Sequence, residues 1–146
     1  MGTGYFTQPS LCADRIVFVC EDDLWEVDSS GGQARRLTNS RSEIKTPYLN
    51  PSGKWIACCA KEEGDPDVYL MSADGGPLTR LTWLNSVTRI VGWTPDGSSI
   101  LFHSIHQAVH HRGSDAWLFK VGVDGGPVQR LPFGPAVSLN HQQKGP

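Results

Sequence analysis

The sequence predicts an all-β chain, a β-propeller present as three four-stranded antiparallel blades of an incomplete ring. Three observations predict it. A diglycine, a short polar strand and an Arg-Leu pair recur in that order at Gly31-Gly32 to Arg36-Leu37, Gly75-Gly76 to Arg80-Leu81 and Gly125-Gly126 to Arg130-Leu131. Gly31 to Gly75 is 44 residues and Gly75 to Gly125 is 50, and a period of about 40–50 residues filled with short strands marks propeller blades. Between the diglycines, β-branched and aromatic runs are separated by Pro- and Gly-containing turns, as in an all-β protein. Propellers close with roughly 4–8 blades, so three make an arc. The partial propeller is placed at 1–139, with blades at about 8–38, 44–82 and 88–132. The polar tail 140–146 lacks apolar alternation and is expected to be truncated or disordered.

The first blade begins with a short innermost strand, Gln8 to Leu11. Arg15 to Cys20 is rich in β-branched and aromatic residues. Glu21 and Asp22 turn the chain into Asp23-Leu24-Trp25-Glu26-Val27-Asp28, whose alternation predicts one buried face. Ala34 to Leu37 is the outer strand, and its two arginines oppose edge-to-edge pairing. In the second blade, Asn50-Pro51-Ser52-Gly53 has proline at i+1 and glycine at i+3, as a type I turn prefers. Strands follow at Trp55 to Ala60, Asp67 to Ser72 and Leu78 to Leu81, with a charged, exposed loop over Lys61 to Pro66. In the third blade, Arg89 to Trp93 is innermost and Thr94-Pro95-Asp96-Gly97 repeats the turn. Ser99 to His103, Ala116 to Val121 and Val128 to Leu131 complete the unit. Trp25, Tyr69 and Phe119 fall at equivalent positions, where they are expected to fill the layers between blades.

Composition narrows the function classes. Thirteen Lys and Arg against 15 Asp and Glu give a formal net charge of −2, so there is no basic footprint for nucleic acid. No apolar run is long enough to span a membrane. Residues 1–7 lack the basic and apolar regions of an export signal, which leaves the cytoplasm as the expected compartment. Cys12, Cys20, Cys58 and Cys59 match no zinc spacing. Adjacent strand residues point to opposite faces, so Cys58 and Cys59 are expected to be separate, buried, reduced thiols.

Glu21-Asp22-Asp23-Leu24-Trp25, followed by Gly31-Gly32 and Arg35-Arg36-Leu37-Thr38, resembles the N-terminus of tricorn-type proteases. Val91-Gly92-Trp93-Thr94-Pro95-Asp96-Gly97 and Arg130-Leu131-Pro132-Phe133-Gly134-Pro135-Ala136 strengthen the resemblance, which covers roughly residues 4–139. The repeat alone is shared with TolB and with the propellers of prolyl-oligopeptidase-like enzymes; TolB would carry an export signal. The resemblance implies a six-bladed ring in a large cytoplasmic serine peptidase, where propellers guide or filter peptides. Its catalytic serine and histidine lie beyond the matched part, so no catalytic residue is carried over.

The residues themselves supply no catalytic, cofactor-binding or metal site. There is no Gly-x-Ser-x-Gly elbow, phosphate-binding loop or His-Glu-x-x-His. His103, His106, His110 and His111, with Asp115, could ligate a metal or titrate near neutrality, but an exposed polar loop is the favoured reading. Glu21, Asp22 and Asp23 could perform acid–base work, but a solvated turn is favoured. Two functions from different classes follow. The chain is the non-catalytic, peptide-guiding N-terminal propeller of a tricorn-like peptidase, or it is a TolB-like interaction scaffold. Expected partners are peptides in the parent enzyme, and either the remaining blades and peptidase domain or a second copy. The arc is expected to leave apolar layers uncovered at both ends, with Phe18 and Trp25 at one and Phe102 and Phe119 at the other.

Overall fold

The computed structural model describes residues 5–106 and 116–133. They form three four-stranded antiparallel sheets, and among them there is no helix. Blade one comprises β1 (Thr7–Cys12), β2 (Arg15–Cys20), β3 (Asp23–Asp28) and β4 (Arg35–Arg36). Blade two comprises β5 (Glu43–Leu49), β6 (Trp55–Lys61), β7 (Asp67–Ser72) and β8 (Thr79–Arg80). Blade three comprises β9 (Thr88–Trp93), β10 (Ser99–Ser104), β11 (Trp117–Gly122) and β12 (Gly125–Arg130). Each sheet runs in chain order, as a meander. The structure is therefore an incomplete β-propeller.

Local chemistry sets the turns. Glu21 and Asp22 join β2 to β3 in two residues, both with positive φ (51° and 64°), as a type I′ hairpin requires. Gly53 N donates to Asn50 O and Gly97 N to Thr94 O, each at 2.8 Å, which closes the two repeated turns. All six glycines of the three diglycines have positive φ. The same closing bond then recurs in each blade, from Leu37 N to Leu24 O, Leu81 N to Val68 O and Leu131 N to Leu118 O. Outer strands β4 and β8 span two residues each, shorter than the runs read from sequence, whereas β12 begins at Gly125 rather than Val128.

The two faces of each sheet do different work. Val17, Val19, Leu24 and Leu37 of blade one meet Ile56, Cys58, Tyr69 and Met71 of blade two. On its other face blade two presents Ala57, Cys59, Val68, Leu70 and Leu81, and these meet Ile100, Phe102, Phe119 and Val121 of blade three. Alternation thus puts the adjacent Cys58 and Cys59 in different layers, as expected. All four thiols are free, and Cys12 is half-buried while the other three are buried. Tyr69 and Phe119 fill inter-blade layers, whereas Trp25 lies in neither.

The open end differs from the sequence expectation. Phe102 and Phe119 do not mark an open end; they stack at 5.7 Å inside the layer between blades two and three. Their register partners explain this: Phe102 pairs with Phe119 as Cys58 pairs with Tyr69 and Phe18 with Trp25. The equivalent face of blade one, carrying Ile16, Phe18, Trp25 and Val27, is turned away from blade two and has no preceding blade among the described residues. There Phe6 packs edge-on against Phe18 at 5.2 Å. Burying a phenylalanine such as Phe102 contributes about 1.5–3 kcal/mol, so these layers, rather than the short outer strands, hold the arc together.

Candidate functional site

The innermost strands β1, β5 and β9 each carry an irregularity at the same place. Register shifts lie between Thr7 and Ser10 and between Lys45 and Tyr48, and on the β10 side between Leu101 and Phe102, opposite Val91. Gln8 and Thr46 take positive φ (54° and 47°), and each is followed by a proline, Pro9 and Pro47. A bulge of this kind bends a strand and leaves a residue unpaired. The side chains freed there tie one blade to the next. Gln8 Oε1 accepts from Thr46 N at 2.5 Å, and Thr46 Oγ1 accepts from Ile90 N at 3.3 Å. Ser10 Oγ accepts from Leu49 N at 3.0 Å, and Trp93 Nε1 donates to Tyr48 O at 2.9 Å.

A cleft of about 810 Å³ runs across these strands at the end carrying the Pro-Gly turns. Pro9, Leu11, Tyr48, Pro51, Trp93 and Pro95 supply most of its wall, and no charged residue lines it. A smaller hollow of about 130 Å³ shares Pro9 and Tyr48 with it and ends at Arg89. The sequence reading missed this site. The available signal was the pair of prolines, Pro9 and Pro47, at one repeat position in successive innermost strands.

The candidate acidic turn separates into two kinds of residue. Glu21 and Asp22 are exposed, as expected. Asp23 is not solvated: it is 5% exposed, because it begins β3 and faces inward. Its Oδ1 accepts from Thr38 Oγ1 at 2.6 Å, its Oδ2 pairs with Arg36, and Thr38 Oγ1 accepts from Leu24 N at 2.9 Å. Blade two repeats this clasp. Asp67 Oδ1 accepts from Thr82 Oγ1 at 2.7 Å and from Leu84 N at 2.9 Å, Arg80 meets Oδ2 at 2.5 Å, and Val68 N donates to Thr82 Oγ1 at 3.0 Å. Blade three has Trp117 and Pro132 at the Asp and Thr positions. Arg130 instead lies over the Trp117 ring at 3.5 Å, so a cation–π contact takes the place of the ion pair. These groups are saturated by one another and act structurally.

The histidines do not come together as a described site. His103 is a half-buried member of β10 rather than an exposed loop residue, opposite Arg89 in register. Burial, and secondarily Arg89, lower its pKa below the ordinary value, which favours the neutral imidazole. His106 instead meets the Phe119 ring edge-on at 6.2 Å. His110, His111 and Asp115 lie outside the described residues. Among the described residues no group of three or more His, Cys, Asp or Glu could hold a metal ion. Burial pushes the Cys59 thiol up to about 11 and raises Cys58 further, so both are protonated at neutral pH and poor nucleophiles.

Residues 3–146 match the family described as the tricorn protease N-terminal beta propeller domain. The chain belongs to this family. Among its relatives, the putative tricorn protease homolog 2 of Streptomyces coelicolor is 37% identical over 144 residues, and the alignment covers 92% of this chain. The tricorn protease of Thermoplasma acidophilum is 29% identical over 141 residues. The chain spans 12% and 13% of the length of these two relatives, respectively. A putative tricorn-like protease N-terminal subunit of Sulfurisphaera tokodaii is 25% identical, and the chain covers 70% of its length. In three dimensions the chain is similar to the crystal structure of the tricorn protease, with a TM-score of 0.80, 26% identity, and coverage of 95% of this chain and 14% of that one. A putative TolB from Agrobacterium tumefaciens, at 21% identity and a TM-score of 0.74, shares the fold; the match covers 91% of this chain and 48% of that one. In a closed propeller the innermost strands surround the central channel.

Proposed function

We propose that this chain is the non-catalytic N-terminal propeller module of a tricorn-like serine peptidase, and that it guides or filters peptides in the cytoplasm. The observation that carries the reading is the uncharged cleft across the innermost strands of all three blades. Its volume lies within the range of about 300–1,000 Å³ usual for binding clefts. The family membership supplies the peptidase context, and four free thiols fit a reducing compartment. The module spans 1–139, and its blade-one end face meets a further blade, from the parent protein or from a second copy. The reading is tested by titrating labelled, unstructured casein peptides with the purified chain and following anisotropy and peptide integrity together. Saturable binding without cleavage is expected. Failure to bind any peptide, or turnover blocked by a serine-directed inhibitor, overturns it.

A further inference from the structure

Blade one ends the arc on a face shaped to receive a sheet. Phe18 and Trp25 stand there where Cys58 and Tyr69 stand in blade two, and Phe102 and Phe119 in blade three. In blades two and three that face is covered by the blade before it. On blade one it is an apolar hollow of about 370 Å³, and no charged residue lines it. Phe6 at its wall is 67% exposed, and Leu11, which pairs in register with Ile16, is 65% exposed. An exposed apolar patch of this kind marks a protein contact.

The opposite end of the arc is not its complement. On blade three Leu101 pairs with Lys120 and His103 with Leu118, as Ala57 pairs with Leu70 and Cys59 with Val68 on blade two. Leu101 and Leu118 belong to neither inter-blade layer. They are nevertheless only 4% and 2% exposed, so they are already covered within one chain. The same face puts His103 and Lys120 where blade two has Cys59 and Leu70. Setting it on the blade-one hollow would take a lysine cation out of water opposite no carboxylate, which is costly. Two arcs therefore do not join end to end. Of the two end faces, the blade-one hollow is left to pair with its own copy. Such a contact closes as a two-fold pair, whereas head-to-tail contacts generate rings or open chains.

We propose that a second copy of this chain covers the blade-one end face, in an isologous pair whose two-fold axis passes through the hollow. Phe6 and Leu11 of each copy pack against Ile16, Phe18 and Val27 of the other. The pairing deepens, and rests on, the reading that this face meets a further blade, and it commits that partner to a second copy.

Light scattering after size-exclusion chromatography of the full chain should give a dimer, and raising the concentration should give nothing larger. Ile16→Glu and Ile16→Arg should each give a monomer that is folded by circular dichroism, and an equimolar mixture of the two should restore the dimer. That rescue needs the substituted position to face its own copy, which an end-to-end contact does not provide. Leu11→Glu changes an exposed position, so it leaves the fold intact, and it should raise the dimer dissociation constant roughly 10-fold or more by burying an unpaired charge. Should the Ile16 variants misfold, Leu11→Glu mixed with Leu11→Arg makes the same rescue test. Lys120→Glu, on the other end face, should leave the dimer unchanged. A monomer at every concentration, species that grow beyond the dimer, folded opposite-charge variants that fail to rescue one another, or a dimer lost on Lys120→Glu overturns the pairing. Casein-peptide anisotropy on the same samples keeps the two readings apart. A dimer that binds no peptide overturns the peptide-guiding reading alone, and a monomer that binds peptide overturns the pairing alone.

Discussion

Thr82 ties together groups that would otherwise be buried without partners. It donates to Asp67 and accepts from the Val68 amide, and it is itself buried. Thr82→Val keeps the shape and removes both bonds, and an unsatisfied buried polar group costs about 1–3 kcal/mol. Urea unfolding should show a loss of that size, whereas Thr79→Val on the exposed edge of blade two should be neutral. The sequence shows the Arg-Leu-Thr repeat but not its partner, because Asp23 and Asp67 sit beside exposed loops and read as surface residues. Only the register of β2 with β3, and of β6 with β7, turns those carboxylates inward. Glu26 gives a pH signature. Burial alone would raise its pKa, but hydrogen bonds and charge from Arg15 and Arg35 outweigh burial and hold it below the ordinary value. The associated stability is present above the unfolded carboxyl value of about 4.3 and is lost as pH falls through the lower folded value. Melting temperatures of Glu26→Gln should therefore change less with acidification below about pH 4.3 than those of the parent chain. The thiols offer a third check. A thiol reagent should label Cys12 first in the native protein, and the buried Cys20, Cys58 and Cys59 only on unfolding.

At the scale of the element, the repeated turn also clasps neighbouring blades. Asn50 Nδ2 donates to Gly97 O at 2.9 Å. Gly53 and Gly97 have the same φ of 71°, but a Cβ on Gly97 would stand 2.9 Å from the Asn50 side chain, while one on Gly53 would meet nothing. Alanine at either position carries the backbone strain of a positive φ, about 1 kcal/mol or more. Gly97→Ala should be the more destabilising, and Asn50→Ala should remove most of that difference in a double-mutant cycle. Strands and turns were legible because alternation, Pro51, Pro95 and the diglycines are local signals. The innermost bulges were not, since a register shift depends on the partner strand. The cleft follows from those bulges and from prolines spaced one blade apart, which no local window brings together.

For the whole molecule, repeat equivalence explains which apolar faces meet and which is left over. The end face of blade one forms an apolar hollow of about 370 Å³ lined by Phe6, Ile16, Phe18 and Val27. The Trp25 Nε1 on the same blade finds no acceptor among the described residues. Repeat units bury such faces against further repeats, so the isolated chain should self-associate. Light scattering after size-exclusion chromatography should show species larger than a monomer, and Ile16→Glu should shift them towards the monomer. The blade count was legible in the period of the diglycines. The identity of the open face was not, because which side of a sheet Phe102 and Phe119 occupy depends on the sense in which blades stack. In the proposed role, the innermost-strand face of this arc receives peptides without cleaving them. Hydrogen exchange of the full chain with and without saturating casein peptides reads this out strand by strand. The expected result is added protection confined to Thr7–Cys12, Glu43–Leu49 and Thr88–Trp93, with the peptides recovered intact; protection confined to the outer strands β4, β8 and β12, or cleaved peptide, would contradict it.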